Sequence, residues 1–343
     1  MSQPVAPILS VNHLRVGFRK RGVETTAVHD VSLTVDRGEI VGLVGESGSG
    51  KSLTCRAALR LMPRGGRVTA GSVHVDGRDV LDMSNGELRA LRAHTIGMIF
   101  QDPFTSLNPT LRIGRQLVET LRVNAGIADH AAHDRAVELL GQVEIPDPAA
   151  RLRVYPHELS GGMRQRVMLA LAIAANPRLL IADEPTTALD VSTQAQVLAL
   201  IKRLREESGM SVLLVSHDFG VISAMCDRVV VMYGGFVVES GTIAQVYSAP
   251  RHPYTRALLD AVPDLTIPQP GYRRPTIQGP PLGTVAYQGG CPFEPRCRFA
   301  RPECRHVDMS LPGRDDAHLS ACPFVDASHV ADIAAAVPTG GRQ

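Results

Sequence analysis

Ile40-Val41-Gly42-Leu43-Val44-Gly45-Glu46-Ser47-Gly48-Ser49-Gly50-Lys51-Ser52 joins an apolar run to a glycine-rich turn and a Lys-Ser pair, and residues 53–59 continue it with helical composition. That order predicts strand, loop, helix. A triphosphate needs backbone N–H groups converging on its oxygens, no Cβ atoms at the closest approach, and a helix N-terminus that favours negative charge. The spacing of Gly45, Gly50 and Lys51 meets these demands. Lys51 would bridge the β- and γ-phosphates as a point charge, and the Ser52 hydroxyl would hold Mg²⁺. A glycine-rich turn before an ordinary helix would explain the glycines but not the Lys and the Ser together.

The 343 residues leave room for one large domain and a smaller one. With 44% hydrophobic and 20% charged residues and a formal charge of +2, the chain has no polyanion-binding signature, so nucleic acid is not expected as a partner. No stretch reaches the roughly 18 consecutive apolar residues of a membrane span, and residues 1–7 lack the basic start of a signal peptide. A cytosolic chain is expected, with its six cysteines free, metal-bound or transient rather than in structural disulfides. Cys55 and Cys226 stand alone and read as small apolar fillers.

Residues 9–18 and 27–35 roughly alternate apolar and polar, and residues 71–75 before Asp76-Gly77 read as strand and turn, which predicts an antiparallel layer beside the nucleotide core. Phe18, at the front of that layer, reads equally as an adenine-stacking ring or a core residue. Residues 96–100 form a short buried strand ending at Gln101, whose side-chain carbonyl suits Mg²⁺ or water. From about 111 to 175 the composition is helical, broken near Pro146 and Pro156, as a helical subdomain inserted into an α/β core would be. Leu159-Ser160-Gly161-Gly162 opens another helix, a second anion-binding N-terminus. One phosphate loop does not need two, so this element reads as completing a site on another copy or a related subunit. Leu179-Leu180-Ile181-Ala182 runs into Asp183-Glu184, a buried strand end with two carboxylates. Asp183 would hold Mg²⁺ through water, and Glu184 would orient and deprotonate the attacking water. The strand at 211–215 ends at Ser216-His217, and His217 is placed to donate to a γ-phosphate. Residues 228–233 and 236–240, around Gly234-Gly235, read as a closing hairpin.

This order of motifs, together with the Leu189-Asp190 turn, resembles the ATP-binding cassette family over about residues 8–250. The resemblance implies a P-loop α/β fold: a RecA-like core, an antiparallel β layer and a helical subdomain at about 102–175. It implies two cassettes paired head to tail, each ATP lying between residues 45–52 of one and 160–162 of the other. Asp190 joins the nucleotide-binding set on that ground, Phe18 matches the adenine-stacking position, and Gln101 with the helical subdomain would signal to membrane subunits. Arg251-His252-Pro253-Tyr254-Thr255, a proline-rich connector at 263–290 and a cysteine-bearing tail look like the C-terminal extension, here 251–343, of oligopeptide and dipeptide importer ATPases, a group that includes nickel importers. By the same resemblance, the chain would hydrolyse ATP to power peptide uptake at the cytoplasmic face of the membrane. The implied partners are two transmembrane permeases, a second ATPase subunit that is a different chain, and an external solute-binding protein. Nickel import within the same family is the alternative. A soluble cassette ATPase acting on nucleic acid or ribosomes is less suited, because those usually carry two cassettes or a long coiled-coil insertion.

Cys291, Cys297, Cys304 and Cys322 are separated by five, six and seventeen residues. Structural zinc sites favour closely spaced pairs such as C-x₂₋₄-C, whereas long, unequal gaps suit a [4Fe–4S] cluster with one cysteine per iron. The importer resemblance also implies a cluster. Zinc, or cysteines with no ligand, remain the alternatives. With the P-loop far away in sequence, the cysteines are expected to act structurally or in regulation, not in hydrolysis.

Overall fold

The computed structural model describes residues 6–20, 22–101, 106–187, 189–262, 277–283, 287–311 and 318–324. The loop just after Gln101, most of the proline-rich connector and the chain beyond residue 324 lie outside the described residues.

One sheet runs through the molecule. Its antiparallel wing is β1 (Leu9–Lys20), β2 (Val23–Val35), β4 (Gly66–Val75) and the short β5 (Arg78–Asp79). Its other part contains β3 (Ile40–Val44), β6 (Ile96–Ile99), β7 (Leu179–Asp183), β8 (Ser211–Ser216) and β9 (Arg228–Tyr233), which pair in parallel in the order β9-β3-β8-β7-β6. β10 (Phe236–Thr242) pairs antiparallel with β9 and meets the wing at a single register point, Phe236 opposite Asp30.

The parallel strands are apolar at nearly every position because both faces are covered. Alternate residues feed two cores. Leu180, Ala182, Val212 and Leu214 face one, and Leu179, Ile181, Leu213 and Val215 face the other. The second core is closed by the antiparallel wing and by α1 (Lys51–Ala58) and α2 (Asn85–His94). Helices α3 (Ile113–Ala125), α4 (Asp129–Gln142) and α6 (Gly161–Ile173) lie on the first, and the short α5 (Pro148–Arg151) comes between α4 and α6 in the chain. Buried residues at Ile113, Leu117 and Leu121, and at Ala132, Ala136, Leu139 and Leu140, recur at the spacing of one helical face. These helices occupy the stretch read as a helical subdomain.

The chain closes with α7 (Val191–Ser208), α8 (Phe219–Met225), α9 (Ile243–Ser248) and α10 (Pro253–Asp260). Beyond α10 come two 3₁₀ turns, Glu294–Arg296 and Pro302–His306. A two-residue strand, β11 (Leu319–Ser320), adds to β10, with Glu239 opposite Ser320. Phe293, Met309 and Ala321 are buried in the first core, so the tail packs on the same interior as the cassette.

Candidate functional site

The glycine-rich loop spans the gap between β3 and α1. Gly45 leaves β3 so close to the Met232 carbonyl that a Cβ there would lie 2.2 Å from its oxygen, and Gly50, with φ 103°, holds a left-handed conformation that glycine adopts without strain. Lys51 is 4% exposed. Its Nζ donates to the carbonyls of Gly45 (2.6 Å) and Glu46 (2.9 Å), which hold the ammonium over the loop. Burial lowers its pKa, and the facing carboxyls of Glu184 and Asp183 oppose that shift. Beside it, the Ser52 hydroxyl donates to Asp183 Oδ1 at 2.8 Å. Asp183 is 1% exposed, and burial raises its carboxyl pKa above the usual range against the pull of that bond. A hydroxyl, a buried carboxyl and the unpaired N–H groups of a first helical turn are the oxygen and N–H donors that Mg²⁺ and a phosphate use, so these residues fit both.

One carboxyl oxygen gathers the neighbouring groups. Glu184 Oε2 accepts from Gln101 Nε2 at 3.0 Å and from the Thr187 hydroxyl at 2.9 Å, and His217 Nδ1 stands 3.4 Å away. Glu184 itself has φ 49°, a left-handed backbone uncommon for glutamate, and its N–H donates to the Val215 carbonyl at 3.1 Å. The twist at the end of β7 thus turns the carboxyl toward Gln101 and His217.

The remaining predicted residues lie elsewhere. Ser160 caps α6, accepting from the Met163 N–H, and is exposed, as is Gly161. Gly162 presses on α7, where a Cβ would come 2.4 Å from Thr193 Cγ2. Asp190 caps α7 by accepting from the Thr193 N–H and hydroxyl, and these bonds lower its carboxyl pKa. Among the described residues, no hydrogen bond joins residues 160–162 to residues 45–52 of the same chain. Phe18 is half-buried on β1 beside Gly66. Ser47, Gly48 and Ser49 complete the loop, Ser49 with its side chain buried.

The four tail cysteines are gathered in space. Cys291 N–H donates to the Cys304 carbonyl at 2.7 Å, and burial first, then Cys322, Cys297 and Cys304, push the Cys291 thiol up to about 12. Cys297 is pushed up to about 11, by burial first and by Cys322 and Cys304. Among the described residues, however, no three His, Cys, Asp or Glu side chains converge closely enough to hold a metal ion. The described side chains therefore do not yet form a ligand set.

Several residues that shape this region carry no motif of their own. Thr187 bonds Glu184. Arg296 grips Glu46 inside the glycine-rich loop, and the Tyr254 hydroxyl accepts from the Glu46 N–H. The tail thus reaches the P-loop across 250 positions of sequence. The segment holding Tyr254 stood out only by its resemblance to the importer extension, and nothing local marks Arg296.

The family described as ABC transporter matches residues 28–187, and the one described as oligopeptide/dipeptide transporter, C-terminal region, matches residues 238–304. A putative peptide import ATP-binding protein of Brucella abortus (strain 2308) is 48% identical over 325 residues, covering 94% of this chain and 96% of the relative. The oligopeptide transport ATP-binding protein OppD of Salmonella typhimurium (strain LT2) is 45% identical over 323 residues, covering 93% of this chain and 94% of OppD. Among solved structures, the dimeric bacterial ABC transporter cassette MJ0796 superposes with a TM-score of 0.62 at 30% identity, covering 68% of this chain and 98% of that one. A post-hydrolysis state of the same cassette bound to ADP and Pi gives 0.61. With these likenesses over nearly its whole length, the chain belongs to the ATP-binding proteins of the ABC transporter family that carry the oligopeptide/dipeptide transporter C-terminal region.

Proposed function

We propose that this chain is the ATP-hydrolysing subunit of an importer that takes up peptides, bound to the cytoplasmic face of the membrane. The observation that carries the reading is the 48% identity to a peptide import ATP-binding protein across both the cassette and the C-terminal region. No helix among the described residues is long and apolar enough to cross a membrane, so the path for the peptide is assigned to two permease subunits, fed by an external solute-binding protein. We read residues 8–250, with the helical subdomain at about 102–175, as the cassette and 251–343 as the importer-type extension.

In this reading Lys51 neutralises the β- and γ-phosphates; Ser52 and Gln101, with Asp183 acting through water, would hold Mg²⁺, which when bound would supply positive charge beside the phosphates. Glu184 takes a proton from the attacking water, and Gln101 and Thr187 hold its carboxyl in line while His217 reaches for the γ-phosphate. Phe18 stacks on the adenine. Ser160 and Gly161 are exposed, and among the described residues no hydrogen bond joins residues 160–162 to their own P-loop, which supports their closing the nucleotide site of a second cassette, as does the dimeric form of the MJ0796 relative. Asp190 stands at that same seam. For the tail we propose a [4Fe–4S] cluster on Cys291, Cys297, Cys304 and Cys322. The ground for it is the number of these cysteines and their long, unequal spacing, not the described side-chain geometry, which forms no ligand set; iron and sulfide analysis of anaerobically purified protein, at about four of each per chain, tests it.

Uptake of a labelled peptide by a deletion strain tests the function. Wild-type chain is expected to restore uptake and Glu184→Gln is not. Restoration of nickel uptake alone would transfer the reading to the metal importers of the family.

A further inference from the structure

Glu46 follows Gly45 at the start of the phosphate loop, and each of its polar groups is fixed. Its N–H donates to the Tyr254 hydroxyl at 2.8 Å, and its carbonyl accepts from Lys51 Nζ at 2.9 Å. Its carboxyl sits in the fork of Arg296, Oε2 at 2.7 Å from one guanidinium nitrogen and Oε1 at 3.1 Å from the other. Two of these partners come from beyond the cassette.

Arg296 is held for this task. Its side chain is 7% exposed, and its other N–H donors go to the Tyr233 hydroxyl (3.2 Å) and the carbonyls of Ile277 (3.3 Å) and Gln278 (3.2 Å). The 3₁₀ turn Glu294–Arg296 sets its backbone, immediately before Cys297. Phe293, at the foot of that turn, packs against the rings of Tyr233 and Tyr254, with centroids 5.1 and 5.3 Å apart. A bidentate guanidinium fixes direction as well as charge, which a lysine would not.

We propose that Arg296 and Tyr254 are positioning residues for ATP binding: the cysteine-bearing tail clamps Glu46 and so sets the first turn of the phosphate loop. The fork neutralises a carboxyl that would otherwise repel the triphosphate, and the tyrosine hydroxyl orients the peptide whose carbonyl steadies Lys51. A tail that loosens would weaken ATP binding without touching Glu184, Gln101 or His217. This proposal rests on the reading of residues 45–52 as an ATP cradle.

The test is direct titration of the full-length chain with Mg-ATP, for wild type, Glu46→Ala, Arg296→Ala, the double variant, Arg296→Lys and Tyr254→Phe, each below its own melting temperature. Each alanine variant is expected to bind about tenfold more weakly, and the double variant no more weakly than the worse single one, as coupled residues behave. Arg296→Lys should recover only part of the loss. Tyr254→Phe, which removes one hydroxyl, should also weaken binding and serves if Arg296→Ala does not fold. In the assembled transporter Arg296→Ala, Arg296→Lys and Tyr254→Phe should raise KM for ATP while kcat stays within about twofold of wild type. Wild-type affinity in Arg296→Ala or Tyr254→Phe, or multiplying effects in the double variant, overturns the clamp. Lys51→Ala separates the two readings: if it binds ATP as tightly as wild type, the cradle itself is wrong, whereas a lost affinity there beside unchanged Arg296 variants removes the clamp alone.

Discussion

At Glu184 three side chains from three separate parts of the chain converge on one atom, Oε2, the atom proposed to accept the proton of the attacking water. Replacing it with glutamine keeps the size and the partners but removes proton acceptance. Hydrolysis by Glu184→Gln should fall by roughly 10² or more, while the affinity for ATP measured by titration stays near wild type. Normal turnover would take Glu184 out of the role of base. His252 allows a prediction of a different kind. It is wholly buried, accepts from the Tyr254 N–H through Nδ1, and has its pKa lowered to about 3 by burial. The unfolded chain would take up that proton near pH 6.5, so below this pH it binds more protons than the native chain and stability drops as pH falls. The slope contributed by His252 should be about 1.4 kcal/mol per pH unit between 6.5 and 3, and denaturant titrations of wild type against His252→Asn, which keeps a helix cap, should show it missing from the variant. Glu184, Gln101 and His217 could be singled out in the sequence because each ends a buried strand. Thr187 and Arg296 could not, since a lone hydroxyl or arginine in a loop carries no period or spacing to read.

At the scale of elements, the proposed shared site gives Ser160 of α6 a second duty beside its cap. Ser160 caps the helix through the Met163 N–H, is exposed, and among the described residues makes no hydrogen bond to its own phosphate loop. Ser160→Ala should therefore cost about 1 kcal/mol of stability as a lost cap. Ser160→Arg should abolish hydrolysis in the paired assembly yet leave ATP titration of the isolated chain unchanged, because the bulk falls on the neighbour's nucleotide. Loss of ATP affinity in the isolated, folded variant would contradict a shared site. The core strands were legible as apolar runs because burial on both faces removes the need for polar alternation. The juncture of the two parts of the sheet was not. It rests on the pairing of Phe236 with Asp30, some 200 residues apart, and no local pattern encodes a partner at that distance.

Across the whole molecule, one buried carboxyl ties the tail to the cassette. Glu239, on β10 and 0% exposed, accepts from the Arg251 N–H at 2.7 Å and the His252 N–H at 2.8 Å, and stands 2.7 Å from His318 Nε2. Arg251 in turn donates to the His318 carbonyl, and β11 extends β10 at that same point. The strand, the segment leading into α10 and the tail thus share a single acceptor. Glu239→Ala leaves these buried donors unpaired at once, a loss of about 3 kcal/mol or more. In a chain of this size that corresponds to a melting temperature lower by roughly 4 °C or more. If the tail and the cassette form one cooperative unit, the calorimetric transition of Glu239→Ala should move down intact, and the clamp on Glu46 should persist until the whole chain melts. If instead the tail is a separable domain, the variant should show an early, small transition with the main one unmoved. That result would confine the coupling between the cysteine-bearing tail and the phosphate loop to temperatures below the first transition.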